Sequence, residues 1–234
     1  MQISTTHVLL DALPPEKSDG LARLRAEVMA GFSRVVWPVG ASQFTIRPVR
    51  KGNGVGPIKT ELMAHLVAQG WDLERTVFTP EFPGQPCPGP VDAYVETHGL
   101  RACLEWETGN VASSYRVLLK MMDALAFDEI DVGFLVVSKK GLARYLTDRV
   151  GTDSEIAWTF RMMRRLLRRG RIEILVMDAD AYDDAAPLIP KQSSGNGAVN
   201  ARRQGAPKET SQGSLFAHAG IVETVRPPAR PPPD

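Results

Sequence analysis

The amino-acid sequence predicts a three-layer α/β domain over residues 1–190, in which helices flank a mixed central sheet. Helical and extended patterns alternate along the chain, which is typical of this class of fold. A β-hairpin lies in the middle of this alternation, so part of the sheet must be antiparallel. The segment DVGFLVVS, residues 131–138, is strongly apolar, and this indicates a strand that is buried on both faces.

The first half of the domain contains two predicted helices, each separated from the next element by an extended segment. Apolar residues at helical spacing predict one helix from Ser18 or Asp19 to about Phe32. The glycine-rich stretch KGNGVGPIK opens the second helix at Pro57, a favoured first residue, and that helix runs to about Gln69. The extended segments are QFTIRPV, before the glycine-rich stretch, and WDLERTVF, after the second helix.

The second half of the domain contains the hairpin and the elements that complete the sheet. A turn signal between two apolar strands predicts the hairpin. The predicted elements are strands VDAYV and LRACLEWE, a helix in SSYRVLLKMMDALA capped by Ser113, the apolar strand, a short helix in KKGLARYLTD, a helix from the capping box of Thr152 and Glu155 to Gly170, and a strand RIEILVM that closes the sheet.

Charge is distributed unevenly between the domain and the C-terminal segment. Residues 191–234 contain six Lys/Arg against three Asp/Glu, and Gly, Pro and Ser make up 15 of these 44 residues. Such a composition buries too little apolar area to offset the entropy of ordering, so we expect a disordered tail. The whole chain carries +1 and the tail +3, so residues 1–190 carry −2. This balance argues against nonspecific coating of nucleic acid but is compatible with a localised basic groove.

The sequence also excludes several classes of protein. No apolar run approaches the length that a membrane-spanning helix needs. The N-terminus lacks a basic region and a small-residue cleavage site, so no secretory signal is expected. Cys87 and Cys103 cannot form a disulfide framework and show no zinc-ligand spacing with the four histidines. We expect two inert core or loop thiols in a cytoplasmic protein.

Acidic residues are concentrated on one face of the predicted hairpin. In the second strand Arg101, Cys103, Glu105 and Glu107 alternate with apolar residues and therefore share one face. If two residues form the turn, Asp92 lies opposite Glu105. A four-residue loop would place Asp92 opposite Cys103, still on the acidic face, whereas a three-residue loop would break the register.

Opposed carboxylates repel each other, so this cluster requires a compensating cation or a raised proton affinity. A hard divalent ion such as Mg²⁺ meets the requirement, because it prefers oxygen ligands and retains waters for a substrate phosphate. The alternative is that the acids lie at the edge of the sheet and are solvated.

The spacing of these residues resembles a known nuclease core. Pro90, Val91 and Asp92, followed after twelve residues by Glu105, Trp106 and Glu107, resemble the P-D…(D/E)-x-K pattern. The match is closer to the BamHI/BglII-type restriction endonucleases, in which another residue replaces the usual lysine. The resemblance covers about residues 35–178 and implies a restriction-endonuclease-like fold.

The resemblance also implies roles for the acidic residues. Asp92 and Glu105 would be the principal Mg²⁺ ligands, and the backbone carbonyl of Trp106 a further one. Glu107 stands where many relatives carry lysine, so it would orient or deprotonate the attacking water, or bind a second metal ion. Glu61 matches an acidic position that some of these enzymes add to the site, and it is equally compatible with a solvent-facing helix residue.

Basic residues provide candidate contacts to DNA. Lys51 and Lys59 flank the glycines and could approach a phosphate, although a flexible turn explains the same sequence. Five arginines fall on one face of the predicted helix, with Met162, Met163, Leu166 and Leu167 on the opposite side. These arginines, which could equally form a solvated face, are Arg161, Arg164, Arg165, Arg168 and Arg169. Arg116 and Lys120, on the helix after Glu107, could face DNA or a partner subunit.

Taken with the resemblance, these features predict a Mg²⁺-dependent endodeoxyribonuclease that acts on double-stranded DNA, of the type II restriction class, and leaves 5′-phosphates. Palindromic DNA favours a homodimer, with the helix over residues 113–126 as the candidate interface. A cognate DNA methyltransferase is a possible partner. The alternatives are a repair or structure-specific nuclease on the same core and a non-catalytic DNA-binding protein.

Overall fold

A six-stranded mixed sheet forms the middle layer of the protein in the computed structural model, which describes residues 1–80, 83–109, 111–147, 150–166 and 168–191. The strands are β1 (Gln2–Ala12), β2 (Thr45–Ile46), β3 (Asp72–Arg75), β4 (Val91–Thr97), β5 (Leu100–Trp106), β6 (Val132–Ser138), β7 (Gly170–Asp178) and β8 (Ala181–Tyr182). The large sheet has the order β1-β7-β6-β5-β4-β3, and β2 pairs with β8 separately. Strands β5, β6 and β7 are parallel, and the other pairs of the large sheet are antiparallel.

Helices cover both faces of this sheet, which confirms the predicted three-layer α/β class. They are α1 (Ser18–Arg34), α2 (Gly56–Ala68), α3 (Val111–Ala126), α4 (Lys140–Ala143), α5 (Asp153–Ile156) and α6 (Phe160–Leu166). Apolar residues of α1 and α2 pack in one core with Leu104 and Trp106 of β5. Residues of α3, α5 and α6 pack in a second core on the opposite face, where Cys103 of β5 is buried. The alternation of side chains along β5 therefore separates the two cores.

Strand β1 was not predicted from the sequence, and the prediction that RIEILVM closes the sheet is wrong. That segment forms β7, and β1 pairs with its outer side in antiparallel orientation. The register of β1 shifts between Ile3 and Thr5 and again between Val8 and Leu10. Each shift interrupts the period-two alternation by which a strand is read from sequence, so the signal was lost.

The predicted helix from Thr152 to Gly170 is interrupted. The capping box of Thr152 and Glu155 is present. However, α5 ends at Ile156, the 3-10 turn Ala157–Thr159 follows, and α6 ends at Leu166. Gly170 already begins β7, so the chain must leave the helix before it reaches this strand.

Two further details of the helices differ from the predictions. Helix α3 begins at Val111, so Ser113 lies inside the helix and does not cap it. On α6 only Met163 of the predicted apolar side is buried, while Met162 and Leu166 are 47% and 62% exposed. Leu167 lies outside the described residues.

Other predictions concern the cysteines, the tail and membrane-spanning segments. Cys103 is buried, Cys87 is exposed, and both are free thiols, as expected. The predicted disordered tail lies outside the described residues from residue 192 onward. Within the described part of the chain, every helix is too short or too polar to span a bilayer.

Candidate active site

The β4–β5 hairpin brings the predicted acidic residues to one end of the sheet. Thr97 pairs with Leu100, so His98 and Gly99 alone form the turn and the two alternative loop lengths do not occur. Both turn residues have positive φ, 54° and 71°, as a type I′ turn requires. The last registered pair at the open end of the hairpin is Ala93 with Leu104. The next position along both strands therefore sets Asp92 opposite Glu105, as predicted.

Asp92 is held by one contact from the sheet and one from helix α2. Its Oδ2 accepts a hydrogen bond of 2.7 Å from the backbone N–H of Trp106. Its Oδ1 lies 2.6 Å from Nζ of Lys59 in the first turn of α2. The Asp92 side chain is 17% exposed, so this carboxylate is fixed in position and still accessible from one side.

Glu105 is more deeply buried and is paired with helix α3. The ammonium group of Lys120 contacts Oε1 of Glu105 and donates a hydrogen bond of 2.9 Å to the carbonyl of Pro90. Burial raises the pKa of Glu105 to about 7, because loss of solvent outweighs the opposing effect of Lys120. The nearby negative charge of Asp92 raises this pKa further. Glu105 is therefore a carboxyl group whose ionised form needs a nearby cation.

Glu107 lies just beyond the end of β5 and is also buried. The backbone N–H of Gly109 donates to its Oε1. A Cβ atom on Gly109 would lie 2.6 Å from that same oxygen, so the absence of a side chain here lets the loop close over Glu107. Burial raises the pKa of Glu107, and the Gly109 hydrogen bond and the charge of the exposed Arg116 oppose the rise. The negative charge of Asp92 also raises the pKa of Glu107.

Protein cations compensate the negative charge that the sequence concentrates here. Lys59 approaches from one helical layer and Lys120 from the other, and each contacts one of the opposed carboxylates. Among the described residues no group of three or more His, Cys, Asp or Glu side chains is arranged to hold a metal ion as it stands. The sequence predicted the need for a cation but did not reveal that two lysines supply the positive charge.

The structure does not bring Glu61 to this cluster. Glu61 is exposed on α2, and two residues along a helix correspond to a rotation of about 200° from Lys59, which contacts Asp92. Glu74, which was not singled out from the sequence, lies on β3, the strand that pairs with β4 of the hairpin. The pairs Leu73 with Ala93 and Arg75 with Val91 set Glu74 opposite Asp92 across β3 and β4.

The backbone conformation of Glu74 is unusual. Its φ is 52°, in the left-handed region that residues other than glycine seldom adopt. Such conformations cost about 1–3 kcal/mol and are concentrated at functional sites. The sequence predicted the strand that precedes the hairpin correctly. The presence of an acidic residue in that strand is the signal that could have identified Glu74.

The predicted DNA contacts have different environments. Lys59 lies in the acidic site, and Lys51 and Arg116 are exposed. Arg164 has a structural contact, because its guanidinium donates hydrogen bonds to the carbonyls of Leu9 and Val8 on the edge strand β1. Arg169 forms an ion pair with Asp128. The other three arginines on or after α6 that were predicted to bind DNA are exposed, and their role stays a prediction: Arg161, Arg165 and Arg168.

Known proteins resemble this chain over most of its length. The family described as "Restriction endonuclease BamHI" matches residues 1–196. The type II restriction enzyme OkrAI of Oceanobacter kriegii is 38% identical over 177 residues, which cover 75% of this chain and 90% of that enzyme. The type II restriction enzyme BamHI of Bacillus amyloliquefaciens is 35% identical over 177 residues, which cover 72% of this chain and 80% of that enzyme.

A solved structure of the restriction endonuclease BglII with a DNA 16-mer aligns at a TM-score of 0.49 and 10% sequence identity, over 82% of this chain and 88% of that chain. The sequence comparisons all point to one class of protein, the restriction endonucleases. The chain belongs to the BamHI family of restriction endonucleases. The resemblance identified from the acidic motif is thereby confirmed.

Proposed function

We propose that this protein is a type II restriction endonuclease that hydrolyses phosphodiester bonds of double-stranded DNA in a Mg²⁺-dependent reaction and leaves 5′-phosphates. The observation that carries the proposal is the position of Asp92. Its carboxylate accepts the N–H of Trp106, the residue between Glu105 and Glu107, so both strand ends of the hairpin contribute acids to one place. Family membership supports the same conclusion.

The donor set fits a hard divalent cation. Asp92 and Glu105 offer carboxylate oxygens, the ligands that Mg²⁺ prefers, and the carbonyl of Trp106 is a further candidate. Lysines neutralise both carboxylates in the structure, which indicates that the site requires positive charge. When bound, Mg²⁺ supplies charge that stabilises the pentacoordinate phosphate and the leaving 3′ oxygen. Glu74 is the better candidate for a fourth acid, because Glu61 lies on another side of α2.

Glu107 is the residue best suited to act on the attacking water. Its pKa is raised by burial, so it is a stronger base than an exposed glutamate. The Gly109 N–H fixes one of its oxygens and leaves the other to orient a water molecule and accept its proton. The resulting hydroxide attacks phosphorus, the bond from phosphorus to the 3′ oxygen breaks, and the leaving 3′ oxygen takes a proton from a water molecule. The phosphate stays bonded to the 5′ oxygen of the other fragment. A second metal ion bound by Glu107 is the alternative arrangement.

Plasmid cleavage tests this proposal. Purified protein with Mg²⁺ should convert plasmid DNA into defined fragments, and EDTA should abolish cleavage. The Asp92→Ala variant should be inactive under the same conditions, and its circular dichroism spectrum should match that of the wild type. Equal cleavage by Asp92→Ala would overturn the assignment of the site. Labelling of the fragment ends identifies whether 5′-phosphates are produced.

We also propose that the enzyme is a homodimer that acts in the cytoplasm beside a cognate methyltransferase. Two-fold symmetric DNA favours a two-fold symmetric protein. Two exposed apolar side chains support helix α3 as the proposed interface. Leu119 on the helix is 56% exposed, and Phe127, the first residue after the helix, is 53% exposed. Light scattering coupled to size-exclusion chromatography measures the mass. A monomeric mass at micromolar concentration, both free and with DNA, would contradict the dimer.

A further inference from the structure

A basic cavity of about 350 Å³ lies outside the acidic site. Among the described residues four cationic side chains line it, two from the segment before α2 and two from α4 and the residue after it: Arg50, Lys51, Lys140 and Arg144. All four are exposed, and none of them forms an ion pair with a carboxylate in the described part of the chain. Positive charge gathered in a concave surface attracts an anion more strongly than the same charges on a flat surface.

The polar groups in the wall of the cavity suit an anion with several oxygen atoms. Ser154 contributes a hydroxyl group, whereas the hydroxyl of Thr152 donates to Glu155. Glu155, which also lines the cavity, caps helix α5, and its Oε2 accepts bonds from the N–H and hydroxyl of Thr152. Glu155 is the acidic residue among the described residues of the wall and is engaged in a structural contact, and the described lining carries a net positive charge.

A buried asparagine fixes the backbone that carries these cations. Asn53 is fully buried, and its side-chain amide donates to the carbonyls of Arg47 and Tyr145. Its Oδ1 accepts the N–H of Ile189. The N–H of Lys51 donates to the carbonyl of Arg144, so the two cationic segments are joined directly. The backbone positions of the cations are therefore preformed, although their side chains are exposed.

Hydrogen bonds join the wall of the cavity to the loop that holds Glu107. Thr152 in the wall follows Gly151, whose N–H donates to the carbonyl of Gly109, and the N–H of Gly109 in turn donates to Glu107. The cavity therefore borders the loop of the acidic site, and this neighbourhood supports a role in holding the same nucleic-acid strand.

We propose that the cavity lined by Arg50, Lys51, Lys140 and Arg144 binds a backbone phosphate of duplex DNA beside the phosphate that is cleaved. The inference rests on the proposed function, because it takes DNA as the substrate. It adds Arg50, Lys140 and Arg144, which the acidic motif does not involve. It also places this part of the DNA path over α4 instead of along the arginines of α6.

Binding in EDTA tests the inference separately from cleavage. Fluorescence anisotropy with a labelled duplex that carries the cleavage site, mapped by sequencing the ends of the plasmid fragments, measures the dissociation constant over a series of KCl concentrations. The Lys140→Gln/Arg144→Gln protein should bind about ten-fold more weakly or worse and should reduce the slope of log affinity against log salt by about 2. The matched control, Arg23→Gln/Arg34→Gln, removes two exposed arginines from α1 that were not predicted to contact DNA, and it should change both quantities much less.

The outcomes distinguish the inference from the proposed function. No duplex binding by the wild type would contradict DNA as the substrate and overturn both. Wild-type affinity and slope in Lys140→Gln/Arg144→Gln would overturn the cavity alone, as would equal losses in the two double variants. Inorganic phosphate distinguishes a DNA phosphate from a free anion. Inorganic phosphate and KCl, compared at equal ionic strength, should displace the duplex equally well. Much stronger displacement by phosphate would show that the cavity is a site for free phosphate instead.

Discussion

Nζ of Lys59 lies 2.6 Å from Oδ1 of Asp92, so a helix of one layer neutralises the first acid of the hairpin. Replacement of Lys59 by methionine removes the charged partner of the partly buried Asp92 carboxylate, which keeps its hydrogen bond from the backbone N–H of Trp106. We expect Lys59→Met to lose about 1 kcal/mol of unfolding free energy without metal. Mg²⁺ should reduce this loss, because a metal ion bound to Asp92 takes over the neutralisation.

Melting temperatures of Lys59→Met and wild type, with and without Mg²⁺, measure this effect. The control is Lys139→Met, which breaks a pair of similar length, 2.7 Å, with Asp178. Mg²⁺ should leave the deficit of the control unchanged. A deficit of Lys59→Met that is also independent of Mg²⁺ would contradict metal binding at Asp92.

Glu105 predicts a specific pH dependence of stability. Burial raises its pKa from 4.5 to about 7, so between these values the folded protein holds a proton that the unfolded chain has released. Its contribution to the free energy of unfolding therefore decreases as pH rises through this window. Glu105→Gln removes that contribution, so the variant should gain stability relative to wild type as pH rises across the window.

Urea unfolding of both proteins in metal-free buffer at a series of pH values measures the difference. Glu107 has a pKa shifted in the same direction and is present in both proteins, so its effect largely cancels. A difference that stays constant with pH, or that changes in favour of the wild type, would show that the pKa of Glu105 is not raised.

Glu74 and Glu61 form a matched pair for testing the fourth acid. Glu74 lies opposite Asp92, whereas Glu61 lies on another side of α2 from Lys59. Glu74→Gln should lower the single-turnover cleavage rate about 10- to 100-fold, the range found when support for a metal site is lost. Glu61→Gln should cleave at nearly the wild-type rate. A larger loss of cleavage rate in Glu61→Gln than in Glu74→Gln would show that Glu61 is the residue of the site.

Arg164 should contribute to stability, although the sequence suggested a contact to DNA. Its guanidinium satisfies the carbonyls of Val8 and Leu9 on the outer side of β1. Arg164→Ala should lower the free energy of unfolding by about 1 kcal/mol, and Arg161→Ala should change it by less than about 0.5 kcal/mol. Equal stabilities of the two variants in chemical denaturation would argue against the contact with β1.

The sequence predicted the hairpin because its information is local. For a two-residue turn, one of the loop lengths that the sequence allowed, the alternation of side chains sets Asp92 opposite Glu105 without any knowledge of the rest of the fold. The lysines were not predictable in the same way. Lys59 and Lys120 reach the acids from opposite helical layers, and such contacts depend on how the helices pack against the sheet.

The errors in the fold have similar causes. Irregular register removed the alternation from β1, and a 3-10 turn divided a segment whose composition favours one continuous helix. Glu61 was chosen from its place in the sequence, although the rotation between neighbouring residues of a helix decides which of them faces the site.

The cleavage rate of Glu105→Gln tests the central claim most directly, because this substitution preserves the size of the side chain and removes its charge. If Glu105 holds the metal ion in a hydrolytic site, single-turnover cleavage of plasmid DNA with Mg²⁺ should fall by about 100-fold or more, while the protein still binds duplex DNA. Cleavage within a few-fold of the wild-type rate would contradict the claim that these acids perform the hydrolysis.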